Sequence, residues 1–336
     1  MSGFHVNRIR QRGAVLLLVL GAIAILSILA VQLAHRANLA NASASRAGTE
    51  ANFRRMFTSG LEISKCLIST GRSTQGYDTA SDPWTKLTQV DTGPREHLKV
   101  QLCDESGKLN FQKFAGTTDD AARFKKAMAR LLDYLHKTDE ANDRHWDEVG
   151  AAMRVRLGID KADSVAPIYT LDGFREAGIA KEILYGNMGD EPAHAACLYD
   201  FLTPFGDGRI NLNTAPAPVL SALDEEYSDD VVAQILSWRG NANGGNDAAQ
   251  PFKTASELEQ VPGIVERTTV DGKTQVVKDL YLKIQDQVSV QSTCISARLI
   301  ADINGQRRMA FAYFEVLSGA GKSQQLKLLS FEEIEP

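Results

Sequence analysis

Signatures of catalysis are missing from this 336-residue chain. It has no P-loop, no G-x-G-x-x-G, no H-E-x-x-H and no Ser, His and Asp set at a triad's spacing. Its six histidines, at positions 5, 35, 97, 136, 145 and 194, share no ligand spacing. Cysteine is scarce, and Cys66, Cys103, Cys197 and Cys294 stand far apart without a C-x-x-C pair, which argues against zinc and thiol-redox motifs. In an exported chain these thiols can oxidise; the sequence narrowly favours at least one disulfide over four buried thiols, with all three pairings open. An excess of positive charge is missing too. The net charge of -5 offers no general attraction to nucleic acid or anionic lipid. Disorder is not implied, because 43% of the residues are hydrophobic and 24% charged.

One more absence organises the chain: no charged side chain occurs from Ala14 to Ala34. This run of 21 residues has only Ser27 and Gln32 as polar side chains. As a helix it rises roughly 30 Å, the thickness of a bilayer's hydrocarbon core. The preceding stretch, Met1 to Gly13, carries His5, Arg8, Arg10 and Arg12 and no carboxylate, so the positive-inside bias holds it in the cytoplasm and sends the bulk of the chain across. Three readings fit. A secretory signal would be cut at Ala40-Asn41-Ala42 or Ala42-Ser43-Ala44. A plain anchor would stay uncut. A prepilin-type leader would be cut after Gly13, leaving the apolar helix on the mature protein.

Beyond the apolar run, residues 35–69 are Ala-rich and free of proline, with Leu39, Phe53, Phe57, Leu61 and Leu67 at intervals that suit one helical face. This predicts a helix of about 50 residues, half in lipid and half amphipathic. Residues 71–93 read as loop. The run 97–111 alternates on both sides of Asp104-Glu105-Ser106-Gly107, the pattern of a β-hairpin. From Asp119 the period becomes helical, with Phe124, Met128, Leu131, Leu132 and Leu135 on one face, and 146–157 and 170–184 follow suit. Short helices at 218–223, 231–238 and 256–261, with the turn Pro262-Gly263-Ile264, look like a helix-hairpin-helix unit, and 241–250 reads as a Gly/Asn-rich loop. Period two returns at 282–290, at 294–301 and 309–317 around Asn304-Gly305, and at 325–331.

The expected architecture is therefore α+β: a long N-terminal helix packed on an antiparallel sheet, in the order of the pilin fold, with a large inserted α-helical domain. The bounds are 1–13 for a leader, 14–34 for the membrane part, 35–115 and 281–336 for the two parts of the pilin-like domain, and 116–280 for the insert. A helix-hairpin-helix unit can bind DNA through backbone amides, which makes a membrane-anchored DNA-uptake protein the rival reading. From Pro216 to Glu266, however, nine acidic residues face only Arg239 and Lys253, the opposite of what phosphate requires.

On the leader residues Gln11 to Leu18, the stretch 104–110 (DESGKLN), the stretch 208–220 (GRINLNTAPAPVL) and the stretch 252–264 (FKTASELEQVPGI), the chain resembles the minor pseudopilin K family of type II secretion systems. The resemblance implies prepilin-peptidase cleavage between Gly13 and Ala14; methylation of the new amino terminus belongs to the same processing, and Ala14, standing where major pilins have Phe, leaves it open here. It implies a non-enzymatic subunit at the tip of the pseudopilus. The fifth mature residue is Leu18, where most pilins carry the Glu that pairs with a neighbour's amino terminus, and the K family is known for lacking it. The implied partners are the I- and J-type minor pseudopilins, the major pseudopilin, the prepilin peptidase and the inner membrane, with no nucleic acid. The implied location is the inner membrane, single-pass, with the globular part in the periplasm. A structural calcium is the cofactor the resemblance raises. Asp104, Glu105, Asp302 and Asn304 are its candidate ligands, and turn formation is the plainer use of the same residues.

Overall fold

A computed structural model describes residues 5–72, 76–114, 119–138, 146–156, 168–185, 197–240, 250–270, 273–317 and 325–334. The chain divides into two units, Met1–Met56 and Phe57–Pro336. The first is built on helix α1 (His5–Gly71), whose last part, 57–71, belongs to the second. No proline interrupts α1, and its large apolar side chains from Leu16 to Leu33 are exposed. Among the described residues, this helix is the one long and apolar enough to cross a membrane. Leu39 is exposed as well, so the predicted amphipathic face does not extend back to it.

The second unit is organised by a five-stranded antiparallel sheet. Its strands are β1 (Thr88–Gly93), β2 (Glu96–Asp104), β9 (Cys294–Ile303), β10 (Gln306–Leu317) and β11 (Gln325–Ile334), in spatial order β1-β2-β9-β10-β11. Both faces of its centre are covered, which explains why β10 is buried continuously from Met309 to Phe314 instead of alternating. On one face, α1 lies so close that Gly60 has room only for hydrogen against Leu299, and Phe57 meets Phe331 edge-on at 6.1 Å. The other face, through Met309, Phe311 and Tyr313, joins a hydrophobic core to which described residues between β2 and β9 contribute most of the side chains.

That intervening chain holds β3 (Leu109–Asn110), α2 (Asp119–Thr138), α3 (Trp146–Arg156), α4 (Lys181–Tyr185), β4 (Leu202–Thr203), β5 (Ile210–Asn211), α5 (Ala217–Leu223), α6 (Asp229–Arg239), β6 (Val265–Val270), β7 (Lys273–Asp279), α7 (Leu280–Ile284) and β8 (Val288–Ser289). Met128, Leu131, Leu132 and Leu135 form the buried stripe of α2 as their spacing predicts; the side chain of Phe124 lies outside the described residues. The stretch 170–184 divides into a 3-10 helix, Leu171–Ala177, and α4, with Gly178 at φ 83° ending the first. Most of the predicted loop at 241–250 lies outside the described residues.

The α+β expectation holds, as do the hairpin at Asn304-Gly305 and the last strand. Asn304 and Gly305 have φ of 53° and 83°, the doubly positive pair that a type I′ turn needs. Other expectations need correcting. Residues 97–111 are not a hairpin: β2 already has β1 and β9 on its two sides, so no edge is free, and the chain leaves the sheet. After a 3-10 turn, Glu105–Gly107, β3 pairs in parallel with β4 instead. Residues 71–93 are not all loop, because β1 occupies 88–93 as a largely exposed edge strand whose apolar pattern is too sparse to show. Nor is 282–290 a strand for most of its length: Asp279 accepts from the Leu282 N–H and caps α7, which buries Leu280 and Ile284 four residues apart. The Pro262-Gly263 turn leads into β6, not into a second helix, so the helix-hairpin-helix unit read around it is not formed.

Candidate functional site

The second unit has a polar node where the end of β2 meets the intervening chain, and the stretches DESGKLN and GRINLNTAP supply most of it. Asp104 ends β2 and folds its own chain, accepting from the Ser106 N–H at 2.9 Å to cap the 3-10 turn. Its other oxygen gathers three donors from distant segments: Ser292 Oγ at 2.6 Å, Thr214 Oγ1 at 2.6 Å and Asn211 Nδ2 at 3.0 Å. Burial pushes the Asp104 carboxyl up to about 6, against the pull of those hydrogen bonds. Next to it Asp78 forms a buried ion pair with Arg72 and accepts from the Ser292 N–H, while Arg72 also donates to the Ser292 carbonyl. Ser292 thus ties both carboxylates together.

One residue further on, Glu105 and Lys108 form an ion pair that is almost wholly buried. Ser296 Oγ donates to Glu105 Oε1 at 2.6 Å, and since its proton is thereby used, the Tyr199 hydroxyl donates to Ser296 at 2.8 Å. Lys108 Nζ also stands 3.8 Å above the Tyr199 ring, a cation–π contact. Burial is the largest single influence on the Lys108 pKa and works to lower it, but the charge and hydrogen bond of Glu105 together with the Cys103 and Asp200 groups nearby outweigh it and leave the pKa raised. Glu105 Oε2 has no hydrogen-bond partner among the described residues. Such a pair holds only while intact, because removing either partner strands a charge in the interior.

The other side of the node is held by asparagine and arginine. Asn213 makes both amide bonds to Phe252, donating to its carbonyl and accepting from its N–H at 2.8 Å each, as a strand partner would. Arg239, at the end of α6, donates to the Leu212 and Ala215 carbonyls, and burial pushes its pKa down to about 10. Asn211, Asn213 and Thr214 are therefore structural residues. Their signal in the sequence is a run of small polar side chains inside an apolar stretch.

The residues picked from sequence fall in three places. Gly13 and Ala14 lie on helical backbone of α1, with side chains outside the described residues, and Leu18 is on the same helix, 75% exposed. Asp104 and Glu105 are in the node. Asp302 and Asn304 are at the opposite end of the sheet, since Asp302 pairs with His97 and Asp104 with Ile295 on the neighbouring strand. There Asp302 accepts from the Gly305 N–H at 2.9 Å and pairs with Arg307 at 3.0 Å, the work of a turn. The four candidate calcium ligands do not converge, and among the described residues no three His, Cys, Asp or Glu side chains gather as a metal site. The expected disulfide is not formed either: all four cysteines are free thiols. Cys66 is exposed on α1, Cys103 stands opposite Ser296 and not Cys294, and Cys197 donates to Asp200. Burial pushes the Cys103 thiol up to about 11.

Comparison with known proteins agrees with this architecture. Residues 210–277, which carry the Asn211 to Thr214 side of the node and the Pro262-Gly263 turn, match the family model of type II secretion system protein K. No curated protein matches the chain in sequence. Among solved structures, the crystal structure of the GspK-GspI-GspJ complex from the enterotoxigenic Escherichia coli type 2 secretion system contains a chain of similar fold, with a TM-score of 0.56 and 14% identity over 87% of this chain and 100% of that one. The chain is thus similar to the type II secretion protein K family over residues 210–277, and its fold is similar to that of a chain in the GspK-GspI-GspJ complex.

Proposed function

We propose that the chain is the non-enzymatic tip subunit of a type II secretion pseudopilus, held by α1 in the inner membrane with its globular part in the periplasm until assembly. There it nucleates the pseudopilus with the I- and J-type minor pseudopilins and supports export across the outer membrane. One observation carries this reading: the apolar stretch of α1 has no acidic side chain, and the fifth residue after Gly13 is Leu18. An internal subunit uses a carboxylate at that position to take the amino terminus of the subunit beside it. A tip subunit has no such neighbour above, and an unpaired acid in hydrocarbon is costly. The large body of chain between β2 and β9, too bulky for a repeated filament position, supports the same placement.

The test is co-purification with the other minor pseudopilins from native membranes. Leu18→Glu places an unpaired acid in the helix, at a cost of roughly 2.5 to 3.5 kcal/mol on insertion scales when central, and is expected to lower complex yield; a clear gain would overturn the tip position. Gly13→Leu is expected to leave uncut precursor and stop secretion, and normal processing of that variant would remove the prepilin reading. The DNA-uptake alternative is not favoured, since the Pro262-Gly263 turn opens a strand and its surroundings are acidic.

A further inference from the structure

Beside the polar node a cavity of about 240 Å³ opens to solvent between the end of β2, the 80–85 loop and the chain around Tyr199 and Pro216. Its walls divide by chemistry. Leu102, Pro216 and the ring of Tyr199 supply apolar surface, and Asp104 and Asp200 supply two carboxylates. Lys108, the cation in the wall, is held by Glu105 and by the Tyr199 ring. Arg72 is bound to Asp78. Among the described residues neither Asp104 nor Asp200 takes a hydrogen bond from a cation: Asp104 accepts from neutral groups, and Asp200 accepts from the N–H and thiol of Cys197, with the Lys108 charge, already paired to Glu105, also acting on it. Asp104, Glu105 and Asp200 against the single cation Lys108 leave the cavity wall with an excess of two acidic groups, in a setting sheltered enough to raise the Asp104 pKa.

We propose that this cavity is a socket for a lysine or arginine side chain of a partner protein. An aliphatic stem suits the apolar wall while its charged end meets the carboxylates. The volume is below the roughly 300 to 1,000 Å³ of sites for drug-sized ligands, which suits one side chain better than a cofactor. A bare divalent cation would leave the apolar wall unused and needs more clustered oxygens than two carboxylates provide. The seated cation offsets the acidic excess of the cavity wall, so the contact is selective for basic over apolar side chains. This adds a partner chemistry to the family assignment and is independent of the tip position, so its failure would leave both standing.

Isothermal titration of the full chain in detergent with acetyl-Gly-Arg-Gly-amide, its norleucine counterpart and calcium chloride tests it. The arginine peptide is expected to bind one to one, and the norleucine peptide to bind at least tenfold more weakly. Asp200→Asn, a change at an exposed rim position that leaves the node intact, is expected to weaken the arginine peptide about tenfold, and Asp104→Asn to weaken it further. Equal binding of the two peptides, or unchanged binding in Asp200→Asn, overturns the proposal. So does saturation by calcium that is lost in both variants while the arginine peptide does not bind.

Discussion

Two turns that share an Asp-x-x-Gly frame, Asp104-Glu105-Ser106-Gly107 and Asp302-Ile303-Asn304-Gly305, stand at opposite ends of one sheet and do different work. Both use an aspartate to accept a backbone N–H two or three residues on. At Asp302 that is nearly all: the turn is local, its Arg307 partner is half-exposed, and the strands on either side are neighbours in sequence. At Asp104 the same local turn is sealed by Asn211, Thr214 and Ser292, which are about a hundred or more residues away. The difference teaches that an Asx turn becomes an organising node only when remote segments converge on it and water is excluded.

The comparison breaks most sharply at Lys108. Lys108→Ala leaves Glu105 charged and buried without its partner, and is expected to lower stability by about 3 to 5 kcal/mol in urea unfolding of the full chain in detergent. The double change Glu105→Gln with Lys108→Met removes both charges together and should recover much of that loss. Recovery of nothing would mean that the pair's geometry, not its charge balance, holds the node.

Asp104 sharpens the comparison through pH. Its carboxyl has a folded-state pKa of about 6 against an ordinary 3.8, so the fold binds a proton that the unfolded chain releases. The stability from this group is fully present below about pH 3.8 and is lost as pH rises through about 6, a change of at most about 3 kcal/mol. Unfolding midpoints measured from about pH 4 to 7 should show this slope in the wild type and a flatter one in Asp104→Asn. An unchanged slope would assign it to other groups.

Smaller effects follow from the two glycines that end the turns. A Cβ on Gly107 would lie 2.9 Å from Thr214 Oγ1 and 3.1 Å from the Thr214 carbonyl carbon, so Gly107→Ala should cost about 1 to 3 kcal/mol by forcing the remote segment away. Gly305 meets nothing within 4 Å, and its substitution should cost only the strain of a positive φ, about 1 to 2 kcal/mol. Asp302→Ala, which loses one turn acceptor and one exposed pair, should cost no more than about 1 kcal/mol. If Asp302→Ala proved as damaging as Lys108→Ala, the contrast between the two turns would collapse.

Local features were legible in the chain by itself. The apolar stretch of α1, the buried stripe of α2 and the Asn304-Gly305 hairpin each depend on neighbours within a few residues, so periodicity and turn chemistry were enough to predict them. Asp271-Gly272, between the unforeseen β6 and β7, was a hairpin signal of the same kind. What only the tertiary structure decided was where each polar residue ends up. Whether Asp104 is a surface turn or the centre of a node depends on Asn211, Thr214 and Ser292. Whether 97–111 is a hairpin depends on β1 and β9 having already taken both edges of β2. Whether Cys103 meets a thiol or Ser296 depends on the register between β2 and β9. In each case the deciding contact joins segments far apart in sequence, and the free energy of burying or pairing a group there exceeds the local preference that a short window of sequence can express.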